Sequence, residues 1–150
     1  MAHFAKIGID NKVLTVLAVD TINTMTNGGI EKEEIGVAYL TKHHGHEVWK
    51  KCSYNTKENK HMLGGTPFRA NFPGIDWIYN STHDIFHPPQ PIDKDGEICS
   101  SWTLDTLKGV WNPPIVQPTV TGAQKDAGTT LYQWDESLYK SDNTKGWVLT

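Results

Sequence analysis

The stretch Trp77-Ile-Tyr-Asn-Ser-Thr-His-Asp-Ile-Phe86-His-Pro88-Pro89-Gln-Pro91 decides how this chain is read, because its frame returns. Twenty-five residues on, it recurs as Trp102-Thr-Leu-Asp-Thr-Leu-Lys-Gly-Val-Trp111-Asn-Pro113-Pro114. In both copies an Asn or Asp follows the Trp by three residues (Asn80, Asp105), an aromatic follows by nine (Phe86, Trp111), and Pro-Pro closes the unit. Side chains alternate along a strand, so Trp-x-Tyr or Trp-x-Leu puts two apolar groups on one face. Asn80 and Asp105 carry turn chemistry, and Gly109 permits positive φ. Pro-Pro cannot donate to a ladder and sends the chain out extended. Each unit therefore reads as a short hairpin followed by a stiff connector. A looser third copy runs from Tyr132-Gln-Trp134-Asp135 through a longer polar turn to Gly146-Trp147.

A lone hairpin is marginal in water. These three are expected to pack on the N-terminal part of the chain or on another protein. Their aromatics have two readings, as core or as interface anchors, since Trp and Tyr are enriched at both. On the second reading the anchors are Phe72, Trp77, Phe86, Trp102, Trp111, Trp134 and Trp147. Arg69, the only arginine, lies between Phe68 and Phe72. It is either a half-buried ion pair that locks its loop or a contact to a partner subunit.

Upstream, Val13–Val19 is β-branched and apolar and gives the strongest strand signal. With a strand near Phe4 it reads as an N-terminal hairpin having one strand, Val13–Val19, buried on both faces. A helix is predicted from about Glu31 to about His43. Acidic residues occupy its first turn, Ile35, Ala38, Tyr39 and Lys42 share one face, and Gly45 ends it. The segment from His46 to Tyr54 reads as another strand, residues 55–65 as an exposed loop, and residues 113–130 as a proline-bearing extended arm.

The 150 residues carry a net charge of −3 with both signs interspersed, so no basic footprint marks a nucleic-acid partner. No apolar run approaches the roughly 18 residues of a transmembrane helix, and the first residues lack the pattern of a signal peptide. Synthesis in a cytoplasm is expected. Cys52 and Cys99 show no pairing signature and read as free thiols, although one disulfide between them stays open. His43, His44, His46, Cys52 and His61 are chemically suited to zinc, but their spacing matches no finger, and no metal or cofactor is expected. There is no phosphate-binding glycine loop and no nucleophile elbow. Asp76, Asp84, Asp93 and Asp95 sit beside turns and read as turn-formers. The chain is not expected to be an enzyme.

A longer ordered series of motifs carries a resemblance. It runs Trp49-x-x-Cys52-Ser53-Tyr54-Asn55-Thr56, Gly64-Gly65-Thr66-Pro67-x-Arg69-x-Asn71-x-x-Gly74-Ile75, and Phe86-x-Pro88-Pro89-x-Pro91. It continues with Ser101-Trp102-Thr103-Leu104-Asp105, Trp111-x-Pro113-Pro114 and Tyr132-x-Trp134-Asp135-Glu136. In these motifs the chain resembles a group of small accessory proteins of tailed bacteriophages, common in marine myoviruses and cyanophages. The resemblance implies a virion structural protein, such as a capsid decoration or cement protein or a neck or tail accessory. Its partners would be capsid or tail subunits, with self-association as a further option. It supplies no catalytic residues. The alternatives are a non-virion chaperone of tail or fibre assembly, or a host-takeover binding protein.

The expected fold is α+β, mainly β. An N-terminal α+β region (1–75) would carry one helix on a small sheet. Tandem Trp and Pro-Pro hairpins (76–118) would pack on it, and an extended arm with a terminal Trp hairpin (119–150) would follow.

Overall fold

The computed structural model describes residues 1–129 and 131–150. The chain is α+β and dominated by short antiparallel strands. It divides into two compact units, one of Met1–Pro89 with Asp105–Val110, the other of Gln90–Leu104 with Trp111–Thr150. These units do not follow divisions at 75 and 118. The first Trp hairpin lies wholly in the first unit, and the turn of the second belongs there too. Among the described residues no helix is long and apolar enough to cross a membrane.

In the first unit, β1 (Ala2–Ile7), β2 (Val13–Val19) and β3 (Trp49–Cys52) form an antiparallel sheet in the order β2-β1-β3. Phe4 faces Leu17 on one side and Lys51 on the other. The strand buried on both faces is therefore β1 and not β2. On one face Ala2 and Phe4 join Val19, Leu40 and Trp49; on the other Ala5 and Ile7 join Val13, Cys52, Tyr79 and Phe86. As an edge strand, β2 leaves Leu14 and Ala18 exposed. Its unbroken apolar run reflects β-propensity, which does not distinguish an edge from a centre.

Helix α1 (Glu33–His44) covers the first of these faces. Glu33 and Glu34 lie in its first turn, and Lys42, His43 and His44 in its last, as the macrodipole favours. Gly45 stops it in the left-handed region (φ 64°), its N–H donating to the Thr41 carbonyl. The face differs from the predicted one: Gly36 and Leu40 are buried with Val37 and Tyr39 against them, whereas Ala38 and Lys42 are exposed. Gly36 sets this rotation, because the Phe4 ring occupies the space where a side chain would begin.

The expected open loop at 55–65 contains a ladder, β4 (Thr56–Lys57) with β5 (Lys60–His61). Its turn residues Glu58 and Asn59 both have positive φ (49° and 59°), the requirement of a two-residue hairpin turn. The first Trp hairpin is formed by β6 (Ile78–Asn80) and β7 (Ile85–His87), with Tyr79 facing Phe86.

The second hairpin pairs β8 (Thr103–Asp105) with β9 (Val110–Asn112). In the second unit, residues 113–121 run without regular structure into α2 (Gly122–Asp126). A reciprocal capping box between Thr121 and Gln124 starts that helix, so residues 113–130 are not a bare arm. Thr130, the last residue of that stretch, lies outside the described residues. The third Trp unit pairs β10 (Tyr132–Trp134) with β11 (Trp147–Leu149), Trp134 facing Trp147. In place of the expected polar turn stands α3 (Glu136–Ser141), capped by the Asp135 side chain accepting from Leu138 N–H.

An exposed Gly in mid-helix replaced by Ala gains about 1 kcal/mol. At Gly36 an added Cβ would lie 2.3 Å from Cζ of the fully buried Phe4. Overpacking of that kind costs about 1–3 kcal/mol. Gly36→Ala is therefore expected to lower stability in urea unfolding. A gain would mean that the Phe4 ring is free to move.

Candidate functional site

The first unit is tied by two polar side chains from one short segment. Arg69 Nη1 donates to Glu33 Oε1 of α1 at 2.6 Å and to the Lys51 carbonyl of β3 at 2.9 Å. Its Nε donates to Asp84 Oδ1 in the β6–β7 turn at 2.8 Å. Asp84 also accepts from the Tyr79 hydroxyl. Desolvation opposes the Asp84 charge, but the Tyr79 hydrogen bond and the Arg69 cation outweigh it and lower the carboxyl's pKa. Burial, with that same hydrogen bond, pushes the Tyr79 phenol up to about 12. Arg69 and Ala70 both hold positive φ (50° and 62°). Such backbone persists only when its surroundings over-determine it. Arg69 is thus spent inside its own chain, the loop-locking reading of this residue.

Asn71 completes the tie. Its side-chain amide donates to the carbonyls of Phe86, Lys108 and Gly109 at 2.9–3.1 Å, and its Oδ1 accepts from Glu58 N–H at 2.8 Å. Gly109 has φ 64° and no room for a Cβ, which would meet Asn71 Nδ2 at 2.5 Å and the Phe86 carbonyl at 2.6 Å.

Around this frame lies a concave site of about 350 Å³ walled by Tyr54, Met62, Phe72, Trp77, Pro88 and Val110. Tyr54 and Phe72 meet edge to face with ring centroids 5.3 Å apart. Phe72 and Trp77 also back onto the buried cluster of Tyr79 and Phe86. Lys57 and Glu58 add charges of opposite sign. The buried polar side chains in the wall are engaged internally: Asn71 is saturated, and the Thr56 hydroxyl accepts from Phe68 N–H. Such a wall suits an apolar side chain better than a polar ligand, which needs converging free donors and acceptors.

The second unit is built round three indoles. Trp134 and Trp147 have ring centroids 5.2 Å apart, and Trp102 lies 5.9 Å and 6.0 Å from them. Trp147 donates to the Ile115 carbonyl at 2.8 Å, and Trp134 to Glu136 Oε2 at 2.8 Å. Glu136 is wholly buried, and its carboxylate also accepts from the Ser100 hydroxyl, Ser101 N–H and the Ser101 hydroxyl. Desolvation raises its pKa, but these donors prevail and hold it below the ordinary carboxyl range. Asp93 behaves alike: burial opposes its charge, while the N–H groups of Glu136, Glu97 and Asp95 outweigh it.

Asp93, Asp95 and Asp135 offer oxygens within 4.8 Å of one another. Lys94 already bridges Asp95 at 2.6 Å and Asp135 at 3.3 Å, and Asp93 is filled by backbone donors. The histidines considered for zinc are spread over other tasks. His46 Nε2 meets the Ile7 carbonyl, His43 and His44 lie against Tyr39 and Trp49, and His61 Nδ1 accepts from Leu63 and Gly65 N–H. Cys52 and Cys99 are free and buried. Burial pushes their thiols up to about 12 and about 11, so neither is a thiolate at neutral pH.

Of the candidate interface aromatics, Phe86 and Trp134 are core, at 0% and 4% exposed, and have no surface to offer a partner. Trp102, Trp111 and Trp147 are half-buried. Phe72 and Trp77 share the concave site. Sequence reasoning did not find Tyr54, Met62 and Pro88 beside them, nor the buried Glu136. An acid at a helix start is ordinarily solvated, so Glu136 carried no signal of its own. Comparison with protein-family models, curated proteins and solved structures found no match to the chain.

Three outcomes follow. Arg69→Lys keeps the charge but cannot span Glu33, Lys51 and Asp84 together, and is expected to cost about 2 kcal/mol in urea unfolding. The depressed pKa values of Asp93 and Glu136 give stability that is present above the unfolded carboxyl range and lost as pH falls through the folded values. Acid titration is therefore expected to lose indole fluorescence structure below about pH 4. Glu136→Ala, leaving four donors unpaired, is expected to be destabilised by about 3 kcal/mol or more at neutral pH.

Proposed function

We propose that this chain is a structural accessory of a tailed-phage particle that binds neighbouring capsid or tail subunits without catalysing a reaction. Its contact is the concave site of Tyr54, Met62, Phe72, Trp77, Pro88 and Val110, which seats an apolar side chain of the partner. The observation that carries the reading is the composition of that site: an apolar, aromatic wall whose buried polar side chains, Asn71 and Thr56, are already spent within the chain. Hot spots at protein interfaces have this form, with an aromatic or aliphatic anchor in a desolvated pocket. The motif resemblance supplies the phage setting. Arg69 and Asn71 support the same role by holding the wall rigid before a partner arrives, which lowers the ordering cost of binding. A chaperone of tail or fibre assembly would use the same site but leave the particle.

The test is mass spectrometry of gradient-purified particles, with the chain quantified against the major capsid protein. Hundreds of copies are expected for a capsid decoration, and a dozen or fewer for a neck or tail part. Absence from clean particles overturns the structural reading and favours the chaperone. Met62 is exposed, so Met62→Glu leaves the core intact. It is expected to cut incorporation at least tenfold, and unchanged incorporation would remove the concave site from the contact.

A further inference from the structure

The two edges of the β2-β1-β3 sheet are treated differently. Ile7 N–H donates to the Val48 carbonyl, so Ile7, and by alternation Ala5 and His3, turn their backbone groups toward β3. Lys6, Phe4 and Ala2 then face β2, opposite Thr15, Leu17 and Val19. The outward backbone groups of β3 fall at Trp49 and Lys51, and those of Lys51 are capped: its N–H donates to Glu33 Oε1 at 2.8 Å, and its carbonyl accepts from Arg69 at 2.9 Å. An ion pair thus caps that edge at Lys51, one of the devices by which sheets avoid stray pairing.

The outer edge of β2 has no such guard beyond its first residue. Val13 is covered, its N–H donating to the Trp77 carbonyl and its carbonyl accepting from Asp76 N–H. The next outward groups belong to Val16 and Ala18, and among the described residues none of them has a further partner. The strand has no charge from Val13 to Val19, and Ala18 is exposed. At the far end the chain leaves the strand line in a 3-10 turn, Thr21–Thr24. The open edge is therefore a five-residue window, 15–19, bounded by the covering segment on one side and the turn on the other.

We infer that a second copy of this chain adds its own β2 antiparallel to this edge, with Leu17 facing Leu17 across a two-fold axis. In that register Val16 of each copy faces Ala18 of the other, and each pair exchanges two backbone hydrogen bonds. Thr15 faces Val19, and Leu14 faces Asp20. The partner strand turns away at Thr21, the position that would otherwise meet the segment covering Val13. The window thus matches itself in length, as an isologous contact requires. Asp20 lies diagonal to Lys12 of the other copy, within reach of a long side chain. Asp76 stands near the same end, so attraction and repulsion offset and little salt dependence is expected. The product is a six-stranded sheet with both α1 helices on one face and both β6–β7 hairpins on the other. A five-residue pairing is smaller than a standard stable interface, so the dimer is weak and forms at high local concentration. This inference is independent of what fills the concave site.

The test uses the full chain, with sedimentation velocity over a broad concentration series and residue-resolved amide exchange. A monomer–dimer equilibrium is expected, with the Val16 and Ala18 amides becoming at least tenfold more protected as concentration rises. Ala18→Pro removes only an outward N–H, which an edge strand tolerates, and is expected to abolish dimerisation with an unchanged circular dichroism spectrum. Ala18→Lys, which keeps the backbone, provides the same test should the proline disturb folding. A monomer at all concentrations overturns the inference. So does a dimer that persists in Ala18→Lys while the two amides exchange freely. Protection that arises only when a particle protein is added also overturns it and assigns the edge to a foreign strand.

Discussion

A ladder of two or three residues cannot hold itself together in water, and nearly all the small sheets of this chain are of that size. What fixes them is the requirement that buried polar groups be paired. Asn71 spends its whole amide on backbone groups of the β4–β5 turn, the β7 strand and the turn at Gly109. Arg69 joins α1, β3 and the β6–β7 turn. Glu136 and Asp93 gather the Ser100–Ser101 backbone, Trp134 and the start of α3. Each of these side chains is costly to bury unpaired, so each admits only one arrangement of the backbone around it.

The repeated Trp frame is a repeat of turn chemistry. Asn80 Oδ1 accepts from His83 N–H, and Asp105 Oδ1 accepts from Lys108 N–H at the same spacing. The residue that closes the turn is left-handed in both copies, Asp84 (φ 51°) in the first and Gly109 (φ 64°) in the second. The exchange of one for the other is not free. Asp84 needs its carboxylate for Arg69, whereas Gly109 must be bare because Asn71 and the Phe86 carbonyl fill the space beside it. Two copies of one local motif have thus been put to different tertiary uses.

The surfaces left open follow from the same ties. Arg69 and Glu33 cap one edge of the central sheet at Lys51, while among the described residues the other edge is covered only at Val13. The Asn71 clamp holds Phe72 beside Trp77 and the β4–β5 hairpin, and the gap between them is the apolar concave site. Both features are by-products of how the polar nodes are satisfied, and the open backbone at Val16 is not announced in sequence.

What the amino-acid order determined by itself is local. The extent of β2, the end of α1 at Gly45 and the Asx turns at Asn80 and Asp105 rest on interactions spanning about four residues, and each was legible. The α+β class followed from them. Tertiary structure decided which strand is central, which face of α1 is buried, and that Phe86 and Trp134 are core while Phe72 and Trp77 line a surface. It also decided the partners of Arg69, Asn71 and Glu136, which lie up to 43 residues away. The reason is that alternation and capping act along the chain, whereas burial is set by which distant segment arrives to exclude water. Phe4 illustrates this: its place was written in the strand, but the need for a bare Gly36 above it existed only once α1 had crossed the sheet.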